Sequence, residues 1–434
     1  MARLNECILY RNFEHGEILD KMAELMTAWE QKSPDLKEKE GLFFECANGL
    51  VETAGSYGFS GNLWHCYLTF LLVNNENAFS TACEIRGAVN GSINELALND
   101  FGVFKELYDF DLTVLDEAFG ISCCKILTDY TNTGSNSKMF NSRIRDRICS
   151  LSKTLAEAET TEEFMKDMVQ FYKDFGVGKL GLHKAFRVGH DENDNVEIQP
   201  ITRIAHVKLE DLVGYEIPKQ KLIENTEAFV RGRKANNCLL FGDAGTGKSS
   251  SIKGILNRYY DEGLRIIEVY KHQFQDLNDV IAQIKNRNYK FIIYMDDLSF
   301  EEFEIEYKYL KAVIEGGLER KPDNVLIYAT SNRRHLIRET FKDKEDRDEE
   351  LHTNDTVQEK LSLVARFGVT IYFGKPDKKE FQEIVRQLAK RSSIDMPEDQ
   401  LLLEANKWEL SHGGLSGRTA QQFIDYLAGT KENR

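Results

Sequence analysis

The sequence has little proline and no hydrophobic run long enough to cross a membrane. Only one of its six prolines, Pro34, lies before residue 200, so few positions in the first half would interrupt a helix. The most apolar stretch, residues 64–73, is followed at once by the polar residues 74–77, whereas a helix that spans a bilayer needs about 20 apolar residues. Residues 1–6 lack the apolar segment of a signal peptide. We therefore expect a cytoplasmic protein that does not bind membranes.

Cysteine patterns typical of metal sites are also missing. The chain has eight cysteines but no C-x-x-C spacing, and Cys123 and Cys124 are adjacent. Adjacent cysteines suit neither a shared tetrahedral metal site nor a simple disulfide. In a chain of this length without an export signal, reduced and mostly buried thiols are the better interpretation.

Positive charge is scarce in the first half. The chain has 56 Lys and Arg against 71 Asp and Glu, of which residues 1–200 contain 19 and 32 and the remainder 37 and 39. The net charge of −15 thus comes mainly from the first 200 residues. Such a balance disfavours nucleic acid as a partner of that half, although a local basic patch in the second half stays possible.

The first half has the periodicity of helices. Apolar residues recur every three or four positions along residues 18–29 and 164–172, which is typical of amphipathic helices. We expect a mainly α-helical N-terminal domain over residues 1–190, whose role the sequence does not reveal. The acidic, polar residues that follow predict a linker over residues 191–203.

All fixed positions of a phosphate-binding loop, G-x-x-x-x-G-K-[ST], are present at residues 242–249. An apolar, strand-like run precedes them and a segment able to begin a helix follows. Backbone N–H groups in such a loop and the helix dipole favour phosphate, so we expect a nucleoside triphosphate. Lys248 would reach its β- and γ-phosphates, and Ser249 would ligate Mg²⁺. The nucleotide-binding residues predicted in this segment are Gly242, Asp243, Ala244, Gly245, Thr246, Gly247, Lys248, Ser249 and Ser250.

Strand-like and helix-like segments alternate after the loop. This alternation predicts a parallel sheet covered by helices, with ligands bound beyond the carboxyl ends of its strands. Asp296 follows one apolar strand and is predicted to hold Mg²⁺ through water. Asp297 is placed to orient or deprotonate an attacking water, and Asn332 to hydrogen-bond that water or the γ-phosphate.

These segments together resemble the AAA+ ATPase superfamily. Residues 242–249 match its Walker A motif, residues 295–297 resemble Walker B, and Asn332 matches sensor 1. The resemblance implies ATP with Mg²⁺ and an α/β P-loop AAA+ module, with a parallel sheet and flanking helices in a nucleotide-binding core over residues 204–374. A helical lid over residues 375–434 would follow.

Further roles are implied by the same resemblance. Residues 211–216 resemble the segment that packs near adenine, which assigns Val213 and Gly214 to the nucleotide. Arg366 resembles the arginine finger that acts in a neighbouring subunit, so a homo-oligomer is expected. Arg418 resembles the sensor 2 arginine of the lid.

The match can be narrowed to one family. Five segments look like the bacterial AAA+ family known as domain of unknown function 815, over roughly residues 200–430. That family supplies an ATPase fold but no biological role. The segments are residues 241–250, 296–301, 310–317, 322–336 and 359–368.

Walker B departs from the usual Asp-Glu pair, because this chain has Asp296 and Asp297. Aspartate is one methylene shorter, so its carboxylate would lie about 1.5 Å further back, and misplacement on that scale can cost about 100-fold in rate. Slow hydrolysis, or help from Glu301 or Glu302, follows as an expectation.

Three functions remain open. The first is an ATPase that remodels or loads a protein partner as an oligomer, with the N-terminal domain recognising that partner. The second is an ATP-gated binding switch with slow turnover. The third is a DNA-associated ATPase resembling a helicase or transposase loader, suggested by the basic residues 333–335 and Arg338 but disfavoured by the overall acidity.

Overall fold

The computed structural model describes residues 4–87, 91–132, 142–202, 204–300, 306–315, 322–332 and 363–431. Its contacts divide the chain into two units, Met1–His183 and Lys184–Arg434. In the part of the chain that the structure describes, no helix is both long and apolar enough to span a membrane.

The first unit consists of helices, as its periodicity predicts. Helix α3 is its centre: it packs against α2, α5 and α8, and every residue from Leu63 to Val73 except His65 is buried. The longest apolar run of the sequence is therefore a core helix. The helices are α1 Glu17–Glu30, α2 Glu40–Tyr57, α3 Leu63–Asn74, α4 Ala78–Arg86, α5 Ser92–Asp109, α6 Thr113–Phe119, α7 Cys124–Thr128, α8 Ser142–Glu157, α9 Thr161–Phe175 and α10 Gly178–Leu182.

The buried carboxylate of Asp100 binds the backbone of residues 8–10, near the start of the chain. Asp100 on α5 is fully buried and accepts hydrogen bonds from three consecutive backbone N–H groups, those of Ile8 at 2.8 Å, Leu9 at 2.7 Å and Tyr10 at 2.9 Å. A buried charge is tolerated only when it is paired or hydrogen-bonded. These bonds therefore satisfy Asp100 and order residues 8–10 together.

The second unit is built on one sheet with flanking helices. Among the described residues the strand order is β2-β1-β4-β5-β6-β3-β7, and every neighbouring pair is parallel except β1 and β2. The strands are β1 Ala185–His190, β2 Val196–Pro200, β3 Cys238–Gly242, β4 Leu264–Glu268, β5 Lys290–Met295, β6 Val325–Ser331 and β7 Val369–Phe373. The helices between them are α11 Glu216–Val230, α12 Lys248–Tyr259, α13 Leu277–Ile284 and α14 Glu306–Glu315.

Three helices form the lid at the end of this unit: α15 Lys378–Arg391, α16 Glu398–Ser411 and α17 Gly417–Lys431. They enclose a small core that includes Phe381, Val385, Phe423 and Ile424. The predicted fold class, a mostly parallel sheet with flanking helices and a helical lid preceded by a mainly helical region, is confirmed.

The junction between the units differs in detail from the expectation. The composition predicts that the helical domain ends at residue 190 and that residues 191–203 are a linker, whereas β1 and β2 form a hairpin at the edge of the sheet. Phe186 and Val188 alternate with exposed or half-buried neighbours along β1, the period of a strand. The Asp191 carboxylate accepts bonds from the backbone N–H groups of Asn193 and Asn195. The acidic segment is therefore the turn of this hairpin.

Candidate nucleotide site

The loop between β3 and α12 is shaped by glycines. Gly242 has φ +135°, and a Cβ there would lie 2.1 Å from the carbonyl oxygen of Phe373 on β7. Gly245 and Gly247 have φ +74° and +91°, conformations that other residues rarely adopt. Gly247 is the N-cap of α12, so the loop leads directly into a helix N-terminus, where backbone N–H groups favour anions.

Lys248 lies at this helix start and is only 6% exposed. Its Nζ donates to the carbonyl oxygens of Gly242 at 3.0 Å and Asp243 at 2.6 Å, and to Oδ1 of Asn332 at 2.9 Å. Burial lowers the pKa of Lys248, against the opposing effect of the carboxylates of Asp243, Asp297 and Asp296. The ammonium is thus held between the phosphate loop and the end of β6.

The Asp296 carboxylate, directly after β5, accepts three side-chain hydrogen bonds. Its Oδ1 accepts from Ser249 Oγ at 2.7 Å, Tyr294 OH at 2.7 Å and Thr330 Oγ1 at 2.6 Å. Partial burial acts to raise the pKa of Asp296, but these three donors outweigh it and the pKa is lowered. The carboxylate is therefore kept ionised and oriented next to the Ser249 hydroxyl.

Asp297 and Asn332 lie on the other side of Thr330. Asp297 has a left-handed backbone with φ +50°, stabilised because its N–H donates to Thr330 Oγ1 at 3.0 Å. Its carboxylate accepts a 2.7 Å hydrogen bond from Nδ2 of Asn332. Since Asn332 also accepts from Lys248, its amide bridges the ammonium and the carboxylate.

These groups face one cavity of about 630 Å³, a volume within the range of small-molecule sites. The lid supplies Ile384, Leu388, Gly417, Arg418, Gln421 and Gln422 to its wall. Most predicted site residues line it: Val213, Ala244, Gly245, Thr246, Gly247, Lys248, Ser249, Ser250, Asp296, Asp297, Asn332 and Arg418.

Direct bonds join the lid to the phosphate loop. The backbone N–H of Arg418, at the start of α17, donates to the carbonyl of Gly245 at 3.2 Å. The Asp243 carboxylate accepts from the backbone N–H of Lys375 at 2.8 Å, in the segment between β7 and α15. The segment that leads into the lid and the start of its last helix therefore contact the same loop.

The remaining predicted residues lie outside the wall of this cavity. Gly242 and Asp243 line an adjoining cavity of about 540 Å³, and Gly214 lines another of about 300 Å³. Arg366 forms an ion pair with Glu315 at the end of α14. The alternatives Glu301 and Glu302 and the basic residues 333–335 and Arg338 lie outside the described residues.

Sequence reasoning missed several groups of the site. Tyr294 lies two residues before Asp296, so the alternation of a strand places both on one side of β5; that spacing was an available signal. Thr330 precedes the predicted Asn332 by two residues in the same way. Leu212, Ile384 and Leu388 give the cavity apolar surface, but the residues of the lid are distant in sequence and no local pattern joins them to the loop.

Comparison with solved structures finds RuvB of Thermotoga maritima, titled a Holliday junction branch migration motor, at 17% identity with a TM-score of 0.35. It covers 52% of this chain, and the chain spans 66% of RuvB. The AAA domain of FIGL-1 in complex with ADP matches at 16% identity and a TM-score of 0.36, over 53% of this chain and 76% of that domain. These similarities are too weak to add to the fold described above.

Comparison with curated proteins finds no match. The sequence model of the family described as "Protein of unknown function (DUF815)" matches residues 182–431, which include β1 to α17 and every residue of the cavity wall. The family resemblance predicted from the motifs is thereby confirmed. Since this match covers more than half of its length, the chain belongs to the family of proteins of unknown function DUF815.

Proposed function

We propose that this chain binds ATP with Mg²⁺ and hydrolyses it, as an oligomer, to remodel or load a macromolecular partner. The observation that carries the proposal is the convergence of Lys248, Ser249, Asp296, Asp297 and Asn332 on one cavity that the lid also lines. They follow three different strands, β3, β5 and β6.

The donor set fits a triphosphate and its metal. The loop ends at a helix N-terminus, and Lys248 adds a cation beside it, which together favour phosphate oxygens. Ser249 Oγ and the ionised Asp296 are hard oxygen ligands 2.7 Å apart, the type that Mg²⁺ prefers. When bound, Mg²⁺ would neutralise charge on the phosphates. The apolar side chains of Val213, Ile384 and Leu388 suit the face of a base.

Asp297 is proposed to accept the proton of the attacking water. Asn332 holds the Asp297 carboxylate by a 2.7 Å bond and also contacts Lys248, so the base has a defined orientation relative to the cation. Asn332 would exchange one of these bonds for the water or the γ-phosphate. Arg418 reaches the cavity from the lid and would bind phosphate there.

The proposed oligomer rests on Arg366. In its own chain this arginine pairs with Glu315 and does not line the cavity, which suits a role in the site of a neighbouring subunit. An arginine supplied by a neighbouring subunit can stabilise charge in the transition state and thereby raise the rate by several orders of magnitude. The acidic N-terminal unit is proposed to bind the protein partner.

The test is ATP turnover per subunit over a range of protein concentrations, with Lys248→Ala as the blank. We expect a specific rate that rises with concentration. Turnover should fall strongly for Arg366→Ala but little for Arg386→Ala, a matched exposed arginine paired with Glu383 and Glu398. Mixing inactive Arg366→Ala and Lys248→Ala subunits should restore activity, because the second supplies an intact arginine to the first. Turnover that persists in Lys248→Ala would refute the site assignment.

A slow ATP-gated switch is the second candidate, and one observation favours it. Asp297 combines the shorter carboxylate with a left-handed backbone and a hydrogen bond to Asn332, all of which restrict its reach. If this limits turnover, Asp297→Glu should hydrolyse ATP faster than the native chain, while Asp297→Asn should bind ATP and not hydrolyse it. Full turnover by Asp297→Asn would exclude Asp297 as the base in either function.

A further inference from the structure

Two cysteines on neighbouring helices of the first unit are in contact. Cys66 on α3 and Cys149 on α8 place their Sγ atoms 3.9 Å apart. Cys66 is buried, with 1% exposure, whereas Cys149 is partly exposed. All eight cysteines of the chain are free thiols in this structure. Cys149 is thus the more accessible residue of the pair, and its sulfur is in contact with that of Cys66.

The surroundings make these two thiols different. A hydrogen bond from Cys66 lowers the pKa of Cys149 to about 7, aided by the Ser60 backbone and Arg145 and opposed by burial and Asp146. The same bond and burial raise the pKa of Cys66. The charged side chains acting on the pair lie on α8: Arg145, Asp146 and Lys153.

We propose that Cys66 and Cys149 form a site of reversible oxidation, at which hydrogen peroxide converts the two thiols into a disulfide that joins α3 to α8. The Cys149 thiolate attacks the peroxide oxygen, which breaks the O–O bond and leaves a sulfenic acid on Cys149 and one hydroxide, released as water. The Cys66 sulfur then attacks the Cys149 sulfur. The S–O bond breaks, the proton of Cys66 leaves with the oxygen as a second water, and the peroxide is reduced by two electrons.

The geometry permits this step with a small adjustment. A disulfide needs an S–S distance of about 2.05 Å, so the sulfurs must approach each other by about 2 Å. The proposal requires that rotation about the two Cα–Cβ bonds and a shift of the helices together supply this movement. A disulfide formed under such restraint is more readily reduced than a structural one, which is the behaviour of a reversible site.

The first test uses the full chain as it is. After treatment with hydrogen peroxide at pH 7, non-reducing digestion and mass spectrometry should show a peptide pair linked through Cys66 and Cys149, and the thiol count should fall by two per chain. Dithiothreitol should restore both. Oxidation of Cys149 to sulfinic acid with Cys66 still reduced and unlinked would overturn the proposal.

Cys123 is the matched control, because it is also partly exposed but burial raises its pKa from 9.0. The pKa of Cys149 is lowered and that of Cys123 is raised, so a larger share of Cys149 is thiolate at pH 7, and the thiolate is the nucleophile. Alkylation of Cys149 by iodoacetamide should therefore be measurably faster than alkylation of Cys123. In Cys66→Ser, peroxide should carry Cys149 on to sulfinic acid; equal rates at Cys149 and Cys123 in the native chain would count against the site.

Discussion

The hydroxyl of Tyr294 offers a sharp test of how Asp296 is oriented. Tyr294→Phe removes one of the three donors to Asp296 Oδ1, the bond of 2.7 Å, and leaves those from Ser249 and Thr330. A hydrogen bond to a charged group contributes about 1.5–3 kcal/mol, and each 1.36 kcal/mol corresponds to a factor of about ten. Because two donors remain, we expect the lower end of this range, a loss of about tenfold in turnover.

The loss of turnover should appear as a change in how turnover depends on the Mg²⁺ concentration. We expect Tyr294→Phe to need more Mg²⁺ for half-maximal turnover, since its carboxylate is less firmly oriented toward Ser249. Nucleotide affinity measured by calorimetry in EDTA should stay within about twofold of the native value, because the loop and Lys248 are unchanged. Steady-state turnover at fixed ATP over a series of Mg²⁺ concentrations measures the first effect.

Tyr328→Phe is the control for a general loss of packing. Tyr328 lies on the neighbouring strand β6, is fully buried, and bonds Asn225 and Thr226 at 2.9 and 3.0 Å, away from the cavity wall. Its substitution should lower stability while leaving the Mg²⁺ dependence unchanged. If Tyr294→Phe matched the native chain within twofold in both turnover and Mg²⁺ requirement, the positioning role of its hydroxyl would be refuted.

Three further substitutions follow from the packing and hydrogen bonds. Gly242→Ala should abolish nucleotide binding and lower the melting temperature, because its Cβ would meet the Phe373 carbonyl oxygen at 2.1 Å; a folded, binding-competent Gly242→Ala would contradict the close approach. Asp243→Ala removes the bond to the Lys375 N–H, so we expect hydrogen exchange at that amide to rise at least tenfold while Asp377, which caps α15, keeps its own bonds. Asp100→Ala removes the acceptor of the backbone N–H groups of Ile8, Leu9 and Tyr10, of which only Tyr10 is a buried residue, so the free energy of unfolding should fall by about 1–3 kcal/mol in denaturant titration; a change well below about 1 kcal/mol would show that water replaces the carboxylate.

Local motifs explain why most residues of the candidate site could be predicted to lie close together. Residues 242–249 are contiguous, and glycine is needed at the positions where φ is positive. The sequence motif therefore predicts the backbone conformation of the loop. Asp296 and Asn332 follow apolar strands, and the parallel sheet brings their ends together. Tyr294 and Thr330, which donate hydrogen bonds to Asp296, lie at the ends of the same strands. Apart from that position, nothing in the sequence distinguishes them from other strand residues.

Long-range pairing explains what was not predictable. Whether Arg366 faces Glu315 or another group depends on how distant segments fold against each other, and its sequence context contains nothing about that partner. The hairpin of β1 and β2 was interpreted as the end of a helical domain and a linker, because an acidic turn and an acidic linker have the same composition. The pairing of β1 with β4 distinguishes a hairpin from a linker, and that pairing joins residues about 80 positions apart.

The burial of helix α3 has a consequence for the order in which the chain is made. Its apolar residues 63–73 leave the ribosome before α5 and well before α8, both of which cover them. At a synthesis rate of about 5–20 residues per second, α3 is exposed for several seconds in every newly made chain. A fragment that stops before residue 142 would lack α8, leave part of that surface uncovered and aggregate, and chaperones that bind apolar segments would meet α3 on the nascent protein.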